Sequence, residues 1–267
     1  MIAPGFAKAP RRARFVLPVA AAVALVLAVG CAEHNKKKYL PTAQQNAGVL
    51  HYRLGQQQLK DGRPDLAVPE FQAAIADDPK NSLNYNMLGL AYLGLERYAE
   101  AKDAFEKTLA INPYYTDAHN NLGIVYSETQ EFDEAVREFE KVLADKSYGT
   151  PEVARYNMGR IFLAKGDAQT AQVYLSQALS GHQENGEWHV QLGLALEKLE
   201  RYAEASLEFV KAVDQDPRAV EAVYHLGYSQ YMLKNYRRAR ENFNRVLVLA
   251  PKGELAEKAE QYLKTLG

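Results

Sequence analysis

Six copies of one short signature, spaced almost evenly, constrain this chain more than any other feature. Leu54-Gly55, Leu88-Gly89, Leu122-Gly123, Met158-Gly159, Leu192-Gly193 and Leu226-Gly227 recur with glycine separations of 34, 34, 36, 34 and 34 residues. Twelve residues after each glycine stands Ala67, Ala101, Ala135, Ala171, Ala205 or Ala239. Four residues further on lies Phe71, Phe105, Phe139, Leu175, Phe209 or Phe243. Pro79, Pro113, Pro217 and Pro251 close four of the units. A fixed period of this length marks an architecture in which each unit is one supersecondary element that cannot bury its apolar face alone.

Within a unit the periodicity is helical. Tyr85, Leu88, Gly89 and Tyr92 fall at i, i+3, i+4 and i+7, one stripe of a helix. Ala101, Phe105 and Thr108 make a second stripe on the helix that follows. Glycine inside a helix costs up to about 1 kcal/mol relative to alanine, so its use in all six units implies that two backbones approach closely there. The large side chain is expected to fill the wedge toward the next repeat. Each proline ends the second helix and turns the chain into the next pair.

The stretch "YNMLGLAYLGLERYAEAKDAFEKTLAINP" (85–113) resembles the tetratricopeptide repeat along its whole length. The resemblance implies an all-α fold, a right-handed superhelical solenoid of six helix-turn-helix repeats. Their expected bounds are 48–81, 82–115, 116–149, 152–185, 186–219 and 220–253. Residues 254–267 are expected to add a capping helix, because Leu255, Ala259, Tyr262 and Leu266 form a stripe suited to the last open face. Two units depart from the pattern. The third ends in Ser147 and is followed by "YGTPE", where Thr150 before Pro151 is a helix-start signal. The fourth ends with Ser180-Gly181 and also lacks its proline. A change of curvature is expected around 145–152.

Ahead of the repeats the chain has a different character. Residues 1–14 carry Lys8, Arg11, Arg12 and Arg14 and no acid, and 15–29, "FVLPVAAAVALVLAV", hold no polar side chain. This layout predicts a secretory signal over 1–30. Fifteen residues rise only about 22 Å, short of the roughly 30 Å hydrocarbon core, and Pro18 interrupts them, so a permanent membrane span is the poorer reading. Cys31 is the only cysteine, so it has no partner for an internal disulfide. "Ala28-Val29-Gly30-Cys31" resembles the lipobox of bacterial lipoproteins. That resemblance implies cleavage between Gly30 and Cys31 and lipidation of Cys31, an anchor that needs several acyl chains to hold firmly. Ala32 follows where an inner-membrane retention signal would have aspartate, which implies the outer membrane, facing the periplasm. Arg11-Arg12 matches a twin-arginine export signal poorly. Residues 31–47 are expected to form a flexible linker, with Lys36, Lys37 and Lys38 close to the head groups. The whole chain has net charge −1; removing the +4 leader leaves about −5, an unpromising balance for nucleic acid.

Enzyme signatures are absent: there is no nucleophile elbow, phosphate-binding glycine loop or paired-histidine metal motif. No catalytic residue, cofactor, metal or small-molecule substrate is expected. His51, His119 and His189 share the fourth position of their repeats, where helix packing is the simplest role. Glu138 and Glu140 are expected to face solvent.

The positive expectation is a protein-binding groove. In tetratricopeptide proteins the first helix of each pair lines a concave face, chiefly through its second, fifth, ninth and twelfth residues. Carried over by that resemblance, the candidates are Tyr52, Asn86, Leu90, Leu93, Asn120, Ile124, Tyr156, Arg160, Leu163, Leu194, Tyr224, Tyr228 and Tyr231. Apolar and aromatic residues dominate, and the basic clamp of chaperone-binding members is missing. Such a groove would suit an amphipathic segment, with the three C-terminal tyrosines as anchors. Lipobox, spacer, six repeats and a terminal helix together resemble the type IV pilus biogenesis lipoproteins, the pilotins of the pilus secretin. That resemblance implies binding of secretin subunits and promotion of their outer-membrane localisation and multimerisation. The alternatives are a periplasmic scaffold for peptidoglycan enzymes and a subunit of an outer-membrane protein assembly complex.

Overall fold

In a computed structural model, which describes residues 43–180 and 185–267, the prolines do what their positions predict. Helices end at Asp77, Ile111, Gln215 and Leu249, each two residues before Pro79, Pro113, Pro217 or Pro251. Thirteen helices and no strand make up the described residues. They are α1 (Ala43–Lys60), α2 (Pro64–Asp77), α3 (Ser82–Gly94), α4 (Tyr98–Ile111), α5 (Thr116–Glu128), α6 (Phe132–Ala144) and α7 (Pro151–Ala164). After them come α8 (Ala168–Leu179), α9 (Gly186–Lys198), α10 (Tyr202–Gln215), α11 (Val220–Met232), α12 (Tyr236–Leu249) and α13 (Glu254–Leu266). The first helix begins at Ala43, not at residue 48, because Ala43, Gln44 and Gln45 are good helix formers that carry it into the expected linker. The leader, Gly30 and Cys31 lie outside the described residues.

Every turn between the two helices of a pair uses one backbone device. Gly62, Glu96, Gln130, Gly166, Glu200 and Lys234 all have positive φ, from 57° to 83°. At Glu96 the N–H donates to Leu93 at 3.0 Å, and the next N–H, of Arg97, donates to Tyr92 at 2.9 Å. Lys234 and Asn235 repeat the pattern onto Tyr231 and Gln230. This nested pair closes the carbonyls that a helix C-terminus leaves open.

The described residues form two compact units, one ending at Ala118 and the other beginning at His119. In the first, α1 packs on α2, α2 on α3 and α3 on α4. Ala67, Phe71, Ala101 and Phe105 are fully buried. In the second, consecutive helices from α6 to α13 pack in order, and alternate helices α7, α9, α11 and α13 also touch. Phe139, Leu175, Phe209 and Phe243 are fully buried. The capping helix seats Ala259 in the core, with Leu255, Tyr262 and Leu266 packed around it.

The signature glycines explain the spacing. A Cβ at Gly89 would lie 2.5 Å from Cε1 of Phe105, and one at Gly193 would lie 2.6 Å from Cε1 of Phe209. The large side chain therefore lies over the glycine of its own repeat, because the two positions meet where the paired helices cross. At Phe209 and Phe243 it also reaches the next unit as expected, stacking on His225 at 5.4 Å and on Tyr262 at 5.1 Å. At Pro151 the helix restarts as expected, but Thr150 occupies the cap position without a side-chain hydrogen bond. The fixed φ of Pro151 accounts for that start better than a hydroxyl cap.

Candidate protein-binding face

The groove positions follow the helical repeat, so the first helix of each pair presents them in order. The structure sorts them by burial. In the first unit, Asn86, Leu90 and Leu93 are buried at 3%, 2% and 3% exposure, so they pack between helices and do not line an open surface. Charged substitutions there would report on folding before binding. Tyr52 is half-buried, its ring edge on Phe71 at 6.0 Å and its hydroxyl accepting from Gln56 at 2.9 Å. Burial raises its pKa.

In the second unit Asn120, Tyr156, Arg160 and Tyr224 are likewise buried. Tyr156 stacks on Trp188 at 4.8 Å, and its hydroxyl donates to Glu187 at 2.9 Å. Burial, with the Glu187 charge, pushes this phenol well above its ordinary value. The Arg160 guanidinium lies 5.8 Å from the same ring. Tyr156 thus engages Glu187, Trp188 and Arg160 in place of the predicted free contacts, while Asn120 keeps a buried Oδ1 without a hydrogen-bond partner. Tyr224 packs against His225 at 5.1 Å and Phe243 at 5.9 Å.

Ile124, Leu163, Leu194, Tyr228 and Tyr231 remain partly exposed. Tyr228 and Tyr231 belong to an aromatic cluster held by the capping helix. Tyr262 lies 5.7 Å from Tyr228 and 4.9 Å from Tyr231, and stacks on Phe243 at 5.1 Å. Tyr202 adds an edge contact to Tyr228 at 6.1 Å. Burial, reinforced by Tyr202 and Tyr262, pushes the Tyr228 hydroxyl up to about 12, so this hydroxyl acts as a neutral hydrogen-bond donor.

Sequence reasoning missed a polar pattern beside this face. His51, His119 and His189 each set Nδ1 against a carboxylate nineteen residues on: Glu70 at 2.7 Å, Glu138 at 2.6 Å and Glu208 at 2.6 Å. Lys141 and Lys211 donate to the other oxygens of Glu138 and Glu208, each at 2.7 Å. Glu138 is therefore mostly buried and paired, contrary to the solvent-facing expectation, whereas Glu140 is exposed. Glu197 forms a further knot, accepting from His225 and from Ser229, both at 2.7 Å. The constant separation of nineteen residues was the available signal. Among the described residues, no group of three or more histidine, cysteine, aspartate or glutamate side chains could hold a metal ion.

Family models described as tetratricopeptide repeat match residues 52–116, 156–213 and 190–254, and a second such model matches 92–154. The chain belongs to the tetratricopeptide repeat family, whose members are protein-interaction scaffolds and typically not catalysts. Solved structures agree on the fold. PilW, a widely conserved type IV pilus biogenesis factor, matches with a TM-score of 0.72 at 21% identity, over 82% of this chain and 99% of its own. PilF of Pseudomonas aeruginosa matches with a TM-score of 0.74 at 16% identity, over the same shares. YrrB, a repeat protein with an unusual peptide-binding site, matches with a TM-score of 0.60 at 22% identity, over 72% of this chain and 97% of its own. No curated protein matches the sequence.

Proposed function

We propose that this chain is a lipid-anchored outer-membrane assembly factor, a pilotin that binds subunits of the type IV pilus secretin and promotes their membrane localisation and multimerisation. The observation that carries the reading is the lipobox-like run ending at Cys31, placed just ahead of a repeat array that PilW and PilF share over almost their whole length. Ile124, Leu163, Leu194 and the exposed edges of Tyr228 and Tyr231 would take the apolar side chains of a secretin segment, while neighbouring polar groups bind its backbone. An anchor on Cys31 would raise the effective concentration of subunits at the bilayer. In cells lacking the protein, immunoblots of envelope fractions are expected to show secretin monomers with multimers lost. Normal multimers in those cells would refute the proposal.

A further inference from the structure

The turn joining α11 to α12 inverts the charge of two turns that it otherwise copies. Residues 94–100 read GLERYAE, 198–204 read KLERYAE and 232–238 read MLKNYRR. In the first two, the arginine is neutralised at once: Arg97 pairs with Glu100 at 2.6 Å and Arg201 with Glu204 at 2.6 Å. In the third, Asn235 replaces that arginine, Lys234 and Arg238 replace the two glutamates, and Arg237 replaces an alanine.

The new cations are not used by the fold. Residues 232–238 are all exposed, a run that neither sister turn shows. Arg237 is 86% exposed and meets only Glu241, across 3.9 Å. Among the described residues neither Lys234 nor Arg238 has an ion-pair partner. By contrast, Arg240 and Arg245 further along α12 donate to backbone carbonyls of Leu266 and Pro217. The first turn of α12 also lacks the acid that α4 and α10 carry, so two arginines sit at the positive end of the helix dipole. Charge placed against the fold points to a role outside it.

Met232, Leu233 and Tyr236 stand among these cations, 40%, 37% and 48% exposed. Cations interleaved with aliphatic and aromatic side chains match a bilayer surface. Phosphate groups attract the ammonium and guanidinium heads, while the apolar side chains enter the acyl boundary. An acidic peptide would satisfy the cations and leave those three apolar side chains in water. We propose that residues 232–238 form a contact site for an anionic lipid surface. This site goes beyond the pilotin reading and does not depend on it.

The test uses the full chain and vesicles of phosphatidylcholine with or without phosphatidylglycerol. The graft K234E/N235R/R237A/R238E gives the turn the charges of 94–100, which the same fold already accommodates. The N-terminal apolar segment is common to both proteins, so the readout is the preference for phosphatidylglycerol vesicles over neutral ones. Each cation near an anionic surface contributes about fivefold to partitioning; the graft removes three cations and adds one arginine and two glutamates, so that preference is expected to fall by at least roughly a hundredfold. Amide exchange over 231–240 is expected to slow with phosphatidylglycerol vesicles only, while 94–100 and 198–204 serve as unchanged references. An undiminished preference in the graft, or equal slowing by neutral vesicles, overturns the proposal. Slowing by a glutamate-rich peptide with none from phosphatidylglycerol overturns it in favour of a protein partner. Secretin multimerisation is read separately, so either proposal can fail alone.

Discussion

Gly89→Ala tests whether close helix crossing or helix propensity governs the repeat. The added Cβ would lie 2.5, 2.7 and 2.8 Å from Cε1, Cδ1 and Cζ of Phe105, well inside contact distance. Phe105 is fully buried, so its ring has no free space into which to swing. Alanine favours an unpacked helix by up to about 1 kcal/mol, whereas overpacking a dense core costs about 1–3 kcal/mol. The net expectation is a loss of roughly 1–2 kcal/mol. At about 2–4 °C per kcal/mol for a domain of this size, the far-ultraviolet dichroism melt falls by roughly 2–8 °C. Gly227→Ala is the internal comparison, since its nearest ring atoms would be 3.0 and 3.1 Å away. It is expected to fall less or not at all. A melting temperature for Gly89→Ala at or above that of the parent protein would show that the crossing tolerates a side chain and would refute the argument.

Two further perturbations probe the second unit. Burial raises the Glu208 carboxyl, but hydrogen bonds from His189 and Lys211 outweigh it and hold the group below its ordinary 4.5. A depressed carboxylate contributes stability above the unfolded value and loses it as pH falls through the folded one. Glu208→Gln is therefore expected to flatten the decline of the urea midpoint below about pH 4.5; an unchanged acid limb counts against the pairing. Tyr262→Ala removes one stacked ring and two tilted neighbours, Phe243, Tyr228 and Tyr231, from the capping helix. The expected loss is roughly 1–3 kcal/mol in equilibrium unfolding, with faster amide exchange in α12 and α13. Exchange that stays slow in α12 would mean the cap does not stabilise the last repeat.

How much was legible in the sequence depends on the range of the contact. The glycine, alanine and phenylalanine of one repeat meet inside one helical hairpin, so their spacing is written along the chain. Helix ends were legible because proline acts on its own residue and the one before it. The turns were half-legible: Gly62 and Gly166 announce a positive φ, but Glu96, Gln130, Glu200 and Lys234 adopt it without a glycine. There the nested hydrogen bonds of the preceding helix outweigh the left-handed penalty of roughly 1–2 kcal/mol. The groove assignments fared differently. Leu163 and Leu194 keep part of their surface, while Leu90, Tyr156 and Arg160 lose it to packing.

By itself the sequence determined the repeat and its helical pairing, because period and side-chain size act between residues that are neighbours within a hairpin. Only the tertiary structure decided which side chains stay in contact with water. Exposure depends on what the adjacent helices lay over a residue. Trp188 beside Tyr156, Tyr262 beside Tyr231 and Glu208 beside His189 each come from another helix.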